Sequence, residues 1–414
     1  MTTSQLTPDA PVVLTEYDSA LVRLSTEQAL KLRRLARGAV TVQRDDTPGT
    51  WRVTSSHYVG TIAASGARIL ITPKLEIGSL FYLIEASGRP VATGPADFRY
   101  GTSPDLVPSF ATFYARHLEG ALAHGIPRAY QETQERLPGI RGRVDIPAQL
   151  RLAGLPLPAE CRFDQYTADT RLARVLRGAA LQLLRLPGVI MPTRQGLQRL
   201  VTVLGEAGPC TPQDMRTPTV FTRLDEHCRR AERLARMILS NQTLRCAAGT
   251  ADAAVFLIDM NTAFEAFVAA RLARYLAGRL TVRPQQTRSL DHGGTARIRP
   301  DLIFEQPASK AVYVADTKYK ITADGYARDT DYYQILAYTR VLDVPAGMLI
   351  YCQRDGDAPP RAITVGTHRT RLDTWALTLS GTPADIEHRL KDLANRIVER
   401  ADIRLQASAP RTTF

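Results

Sequence analysis

Between residues 11 and 75 the apolar positions fall two apart, as in Trp51-Arg52-Val53-Thr54 and Arg68-Ile69-Leu70-Ile71-Thr72. That is the period of strands with one buried face. One helical insert, Thr26–Arg37, interrupts the alternation. Pro73 ends the last strand, and Ser79 has the side chain of a good N-cap for a helix that opens beside it. A β-rich N-terminal domain is expected over residues 1–95, running into a Pro/Gly-rich link at 88–104. From 105 to about 245 the spacing turns helical, with Phe110–Ala123, Thr170–Leu186, Gln195–Leu204 and Leu224–Ser240 each carrying apolar residues three and four apart. A mainly helical middle domain, 96–250, follows, interrupted at Leu137–Ile146 by a turn and a short basic strand.

The last third has a different texture. Its pattern predicts a long helix Asp252–Ala277 closed by Gly278, then strand Leu280–Arg283, a Gly293-Gly294 turn, and strands Ala296–Phe304 and Lys310–Tyr319. Helix Asp329–Val341, strands Gly347–Tyr351 and Arg361–Val365, and a terminal helix Pro383–Ala401 complete it. This order describes a small mixed sheet with helices on its faces, forming a third domain over 251–414. The fold class expected for the whole chain is α+β and multidomain.

Charge adds to the picture chiefly through its make-up. The net charge of +12 suits an anionic partner such as nucleic acid, although an arginine-rich proteome would produce the same excess. Of 53 basic residues only six are lysine, at positions 31, 74, 310, 318, 320 and 391. Lys318 and Lys320 therefore stand out, because a compact ammonium on a flexible stem can serve where a planar guanidinium cannot. Lys318 lies two residues after Asp316, and Arg299-Pro300-Asp301 opens the preceding strand. Two carboxylates on neighbouring strands are a suitable oxygen ligand set for Mg²⁺, which takes one or two carboxylates and keeps several waters. Asp301 and Asp316 would supply them, and the Thr317 carbonyl could add a third oxygen. Lys318, on the same strand face as Asp316, can orient an attacking water or neutralise developing charge.

Two further elements join this pair. Glu265 sits on an apolar helix between Phe264 and Phe267, where an unpaired carboxylate is costly. A metal would give it a partner, and so would a salt bridge to Arg271 or Arg274. Gln334 and Tyr338, four apart on a helix, share one face. They can position Lys318 or contact a DNA backbone, or Tyr338 can simply pack in the core with Ile335. Tyr332 and Tyr333 suit packing or groove lining equally.

Other chemistries find little support. The five cysteines are odd in number and scattered, which suits a reducing cytosol. No run approaches the roughly 18 apolar residues of a membrane span, and the first residues lack the pattern of a signal peptide, so a cytoplasmic protein without a membrane partner is expected. There is no P-loop, no paired-histidine metal spacing and no nucleophile elbow. The arginines at 229, 230, 233 and 236 are read as a solvated helix face.

With Glu265 upstream and Gln334-x-x-x-Tyr338 downstream of Pro300-Asp301 and Asp316-x-Lys318, the last third resembles PD-(D/E)xK nucleases. The whole chain is similar to the McrC family, the nuclease subunits of McrBC modified-cytosine restriction systems. Looser similarity lies in Ile71-Thr-Pro-Lys74-Leu75, in Gly139–Ile146 and in Phe163–Arg177, although Ala173 stands where the family usually has Asn. The resemblance implies an Mg²⁺-dependent endonuclease for double-stranded DNA. It implies a partner, an McrB-like AAA+ GTPase forming a hexameric motor, which recognises modified cytosine and whose GTP hydrolysis this chain stimulates. Docking would use the N-terminal and middle domains, with Lys74, Arg141 and Arg143 as nearby candidates that ordinary surface charge explains better. A stand-alone repair nuclease and a non-catalytic adaptor are the competing readings.

Overall fold

The helix Thr26–Leu35 begins where the sequence supplies a capping box: Ser25 accepts from the Gln28 amide, and the Gln28 side chain returns a bond to Ser25. It is the first helix of a computed structural model that describes residues 11–36, 38–86, 105–151, 157–186, 188–240, 253–291, 293–306, 311–319, 329–353, 359–367 and 369–408. Lys310 and Lys320 lie outside the described residues. The chain divides into two compact units, one made of residues 1–104 and 257–414, the other of residues 105–256.

In the first unit the N-terminal segment forms an antiparallel sheet in the order Ser19–Arg23, Thr50–Ser55, Val40–Arg44. A second sheet runs Val12–Thr15, Ala67–Thr72, Tyr58–Ala64, with Val12–Thr15 parallel to Ala67–Thr72. Ala253–Asp259 is also a strand, which corrects the expected helix Asp252–Ala277. Val255, Phe256, Leu257 and Ile258 are all buried, as a strand covered on both sides requires, and the helix opens only at Met260, where the Asp259 side chain caps the Thr262 amide at 3.1 Å.

The C-terminal part of this unit is a six-stranded mixed sheet, ordered Thr281–Pro284, Leu302–Glu305, Ala311–Lys318, Ala346–Gln353, Thr370–Thr378, Arg361–Val365. The two central pairings are parallel and the outer ones antiparallel. Ala346-Gly-Met-Leu-Ile-Tyr-Cys reads as one apolar run because both its faces are covered. Helix Asp329–Val341 covers one face, packing Ile335 and Tyr338 on Val314, Leu349 and Tyr351. On the opposite face Tyr313 donates to Asp373 at 3.0 Å, and Arg400 of the terminal helix Pro383–Ser408 pairs with the same carboxylate at 3.1 Å. The expected strand Ala296–Phe304 is two pieces, Arg297–Ile298 and Leu302–Glu305, since Pro300 has no amide hydrogen to continue a ladder. Strand Thr370–Thr378 escaped the pattern because its core contains a polar residue, the ion-paired Asp373.

Glu16, in the turn after Val12–Thr15, is a polar group in this unit's core, 1% exposed. Its Oε2 accepts from the Lys74 amide at 3.0 Å and the Tyr319 hydroxyl at 3.1 Å, while Oε1 has no hydrogen-bond partner among the described residues. Burial outweighs these bonds and pushes the carboxyl up to about 7. An acid whose folded pKa exceeds its unfolded value binds more protons when folded, so its contribution falls as pH rises from about 4.5 to about 7. Glu16→Gln is therefore expected to gain stability over the wild type at pH 8, by at most about 3 kcal/mol, and to lose that gain by about pH 4. Thermal melts of both proteins at the two pH values check this, and a difference independent of pH refutes it.

The second unit combines helices Leu106–Leu122, Arg171–Leu184, Met191–Val203 and Arg229–Ser240 with a three-stranded antiparallel sheet, ordered Ala129–Leu137, Ala159–Thr167, Arg143–Val144. The two long strands were hidden by their polarity, as in Gln131-Glu-Thr-Gln-Glu-Arg, most of which is exposed. The last helix starts at Arg229 rather than Leu224, which is 85% exposed. Its arginines are engaged within the fold: Arg229 pairs with Glu226, and Arg236 pairs with Glu232 and donates to the Met215 and Thr217 carbonyls. Among the described residues no helix is long and apolar enough to cross a membrane.

Candidate functional site

Register brings the two aspartates together. Leu302 pairs with Ala315, so Asp301, one residue before it, lies across from Asp316 at the end of the apolar strand Ala311–Lys318. Parallel pairing on the other side sets Asp316 against Leu349 and Lys318 against Tyr351, and the side chains of 316 and 318 share a face. The helix Asp329–Val341 lies over that face at glycine distance: a Cβ on Gly347 would meet Ile335 Cγ1 at 2.9 Å and Thr339 Cγ2 at 3.0 Å. Gln334 and Tyr338 are thereby seated beside Lys318.

Two hydrogen-bonded chains result. In the first, Lys318 Nζ stands 2.6 Å from Asp316 Oδ2 and donates to Gln334 Oε1 at 2.8 Å, while Gln334 Nε2 contacts the Tyr338 hydroxyl at 2.6 Å. The Lys318–Asp316 contact is an ion pair, and Asp316 Oδ2 is buried with no other polar partner among the described residues. In the second, Asp301 Oδ2 accepts from the Thr317 amide at 2.7 Å and the Thr317 hydroxyl at 2.8 Å. Its Oδ1 accepts from Gln285 Nε2 at 3.1 Å, and the same amide nitrogen also donates to Glu265.

The electrostatics follow from burial and crowding. Glu265 is pushed up to about 7, first by burial and then by the charge of Asp301, against the Gln285 bond. Asp316 is raised by burial and by Asp301, against the pull of Lys318. Burial alone disfavours the Lys318 ammonium, but Asp316 and Asp301 outweigh it and hold the pKa above the ordinary lysine value. Asp316 and Asp301 thus share one ammonium, while the Arg299 guanidinium partly offsets the charge of Glu265.

These residues suit Mg²⁺ in donor chemistry. Asp316 Oδ2 is a buried hard oxygen with no polar partner among the described residues beyond its ion pair with Lys318. Asp316 lies on one strand and Asp301 directly before the strand paired with it, and two carboxylates with waters suffice for this ion. A closed protein cage is absent: no group of three or more His, Cys, Asp or Glu among the described residues is gathered tightly enough to hold a metal.

The structure places all seven candidates, Glu265, Asp301, Asp316, Thr317, Lys318, Gln334 and Tyr338, in these two chains. Glu265 does not use the alternative partner Arg271, which pairs with Glu387 at 3.1 Å. Thr317 contributes its amide and hydroxyl to Asp301, a role without a trace in the residue pattern. Tyr333 is 69% exposed, whereas Tyr332 packs against the core beneath it. Gln285 and Arg299, whose Nε donates to the Gln285 carbonyl at 3.3 Å, were missed. The available sign was weak: a polar residue just after Pro284, the end of the strand that pairs with Leu302–Glu305.

The family model for the McrBC 5-methylcytosine restriction system component matches residues 53–352. Among solved structures, the chain is similar to a refined half-complex from a tetradecameric assembly of Thermococcus gammatolerans McrB AAA+ hexamers with bound McrC. That match has 18% identity and a TM-score of 0.58, and it covers 94% of this chain and 100% of that chain. A cryo-EM structure of the Thermococcus gammatolerans McrBC complex matches with 21% identity over 66% of this chain and 90% of that one, at a TM-score of 0.43. No curated protein matches the sequence.

Proposed function

Since the chain belongs to the family of McrBC 5-methylcytosine restriction system components, we propose that it is the McrC-type nuclease subunit, an Mg²⁺-dependent endonuclease whose residues 251–414 form a PD-(D/E)xK domain. The observation that carries this reading is the pair of chains just described, Asp316–Lys318–Gln334–Tyr338 and Glu265–Gln285–Asp301–Thr317, converging at the end of one strand pair. A non-catalytic adaptor would have no use for buried, mutually repelling carboxylates beside a DNA strand, which cost stability unless they serve a reaction.

When bound, Mg²⁺ supplies Lewis acidity toward a scissile phosphate and an acidified water. Asp301 and Asp316 would hold it, with Glu265 close by. Thr317 fixes the orientation of Asp301 with two hydrogen bonds, and Gln285 fixes its other oxygen. Lys318 acts as a charge and not as a base, because its environment keeps it protonated at neutral pH. Directed by Gln334, that ammonium stabilises the negative charge developing on the phosphoryl oxygens.

The partner is an AAA+ GTPase of the McrB type. The half-complex similar to this chain contains McrB AAA+ hexamers with bound McrC, and this sequence has no P-loop with which to move itself along DNA. Cutting in the cytoplasm at 5-methylcytosine sites chosen by the partner completes the reading.

The test is reconstitution. The chain with an McrB-type GTPase, GTP and Mg²⁺ is expected to cut a methylated duplex and spare the unmodified one, whereas Mg²⁺-dependent cutting of unmodified DNA by the chain alone favours a stand-alone nuclease. Lys318→Arg in the same assay is expected to lose about 10²-fold in cleavage rate, since a planar guanidinium cannot take the place of the ammonium between Asp316 and Gln334. Its stimulation of the partner's GTPase should be unchanged. Near-normal cleavage by this variant removes Lys318 from the site.

A further inference from the structure

Gln285 has a geometry that the nuclease motif does not explain. Its side-chain nitrogen donates to Glu265 and, at 3.1 Å, to Asp301 Oδ1. Its own amide donates to the Asp301 carbonyl at 3.0 Å, and its carbonyl accepts from Arg299 Nε at 3.3 Å. The residue is therefore tied to Asp301 through both backbone and side chain. Its φ of +54° lies in the left-handed region that non-glycine residues avoid. A turn at this place would be easier with glycine, and the side chain that glycine lacks is the one spanning the two carboxylates.

We propose that Gln285 is the positioning residue that sets the spacing of Glu265 and Asp301, and so the strength with which this site takes a divalent cation. The inference rests on the reading of these carboxylates as metal-binding. Glu265 arrives on the helix Met260–Tyr275 and Asp301 at the start of a strand, so the described structure joins their carboxylates through this amide. The Nε2 amide donates to both carboxylates, and an asparagine amide, with the same two hydrogens but one methylene less reach, cannot span them from this position. Partners that orient a metal's ligands typically change affinity 10- to 100-fold when removed.

The experiment is calorimetric titration of the full chain with Mn²⁺, without DNA or partner, together with thermal melts. Gln285→Gly keeps the left-handed backbone without strain and removes the amide. Gln285→Asn keeps an amide and tolerates the same backbone. The expected result is a drop in Mn²⁺ affinity of about tenfold or more in both variants, with a melting temperature in Gln285→Gly equal to or above that of the wild type. A purely structural role would move the melting temperature and leave Mn²⁺ affinity alone, and unchanged affinity in both variants overturns the proposal. Asp301→Ala serves as the reference. If it loses Mn²⁺ binding while the Gln285 variants keep it, only the role of Gln285 fails; if Asp301→Ala binds Mn²⁺ as well as the wild type, the metal-site reading falls and this inference with it.

Discussion

Asp316→Ala is expected to reduce DNA cleavage by the reconstituted complex at least about 10³-fold, the loss of several kcal/mol of charge stabilisation in the transition state. Association with the motor and stimulation of its GTPase should survive. The fold should survive too, and the reason is electrostatic. Asp316 is 1% exposed, and burial together with Asp301 disfavours its charge more than the Lys318 ammonium, 2.6 Å from its Oδ2, favours it. The ionised carboxylate is therefore a liability in the folded chain, tolerated for its chemistry. The isosteric Asp316→Asn isolates this point, since it removes the charge and leaves no cavity. Its melting temperature at pH 8 is expected to equal or exceed that of the wild type while cleavage falls as in Asp316→Ala. Cleavage, GTPase and thermal melts on the three proteins check the set. Persistent cleavage by either variant would refute the assignment of Asp316, and a large fall in the Asn variant's melting temperature would show that the carboxylate is structural.

Legibility in the sequence followed from how local each signal is. Asp316 and Lys318 are separated by one residue on a strand, and Gln334 and Tyr338 by one helical turn. For such pairs the backbone period alone fixes a shared face, and the structure sets the two pairs in one chain of contacts. Glu265 could be suspected because a carboxylate between phenylalanines needs a partner, but its actual partner, Gln285, is 20 residues away and depends on a left-handed turn. No period reports such a turn. The same limit hid the strand Ala253–Asp259, whose apolar run fits a buried helix as well as a buried strand until its sheet partner is known. In the second unit, Ala129–Leu137 is stabilised by pairing along its whole length with Ala159–Thr167 rather than by burial of its own side chains. A polar strand of that kind leaves almost no hydrophobic trace.

That polar sheet carries the largest stability effect expected in the chain, at Gly142. Its φ is +71°, and a Cβ there would stand 2.4 Å from the Arg162 carbonyl oxygen and 2.7 Å from Phe163 Cβ. The left-handed backbone costs an alanine about 1 kcal/mol. The clash adds more, because the nearest atom is a backbone carbonyl in a paired strand and cannot rotate away. The close approach lets Arg141 lie 4.1 Å over the Phe163 ring and its amide reach Cys161 Sγ at 3.4 Å, while Arg162 pairs with Asp145 at 2.6 Å. Gly142→Ala is expected to destabilise residues 105–256 by at least about 3 kcal/mol, a fall of roughly 10 °C in melting temperature. Gly139→Ala, three residues earlier and with nothing within 4 Å of its Cβ, is the control and should change stability by less than about 0.5 kcal/mol. Hydrogen exchange localises the effect, with protection lost across Ala159–Thr167 first. Asp301 and Asp316 belong to the other unit, so Mn²⁺ binding should be retained. If docking on the motor uses this unit, GTPase stimulation will fall with the folded fraction. Equal melting temperatures for the two alanine variants would show that the strand at Arg162 yields to a Cβ, and the close approach would then have no energetic weight.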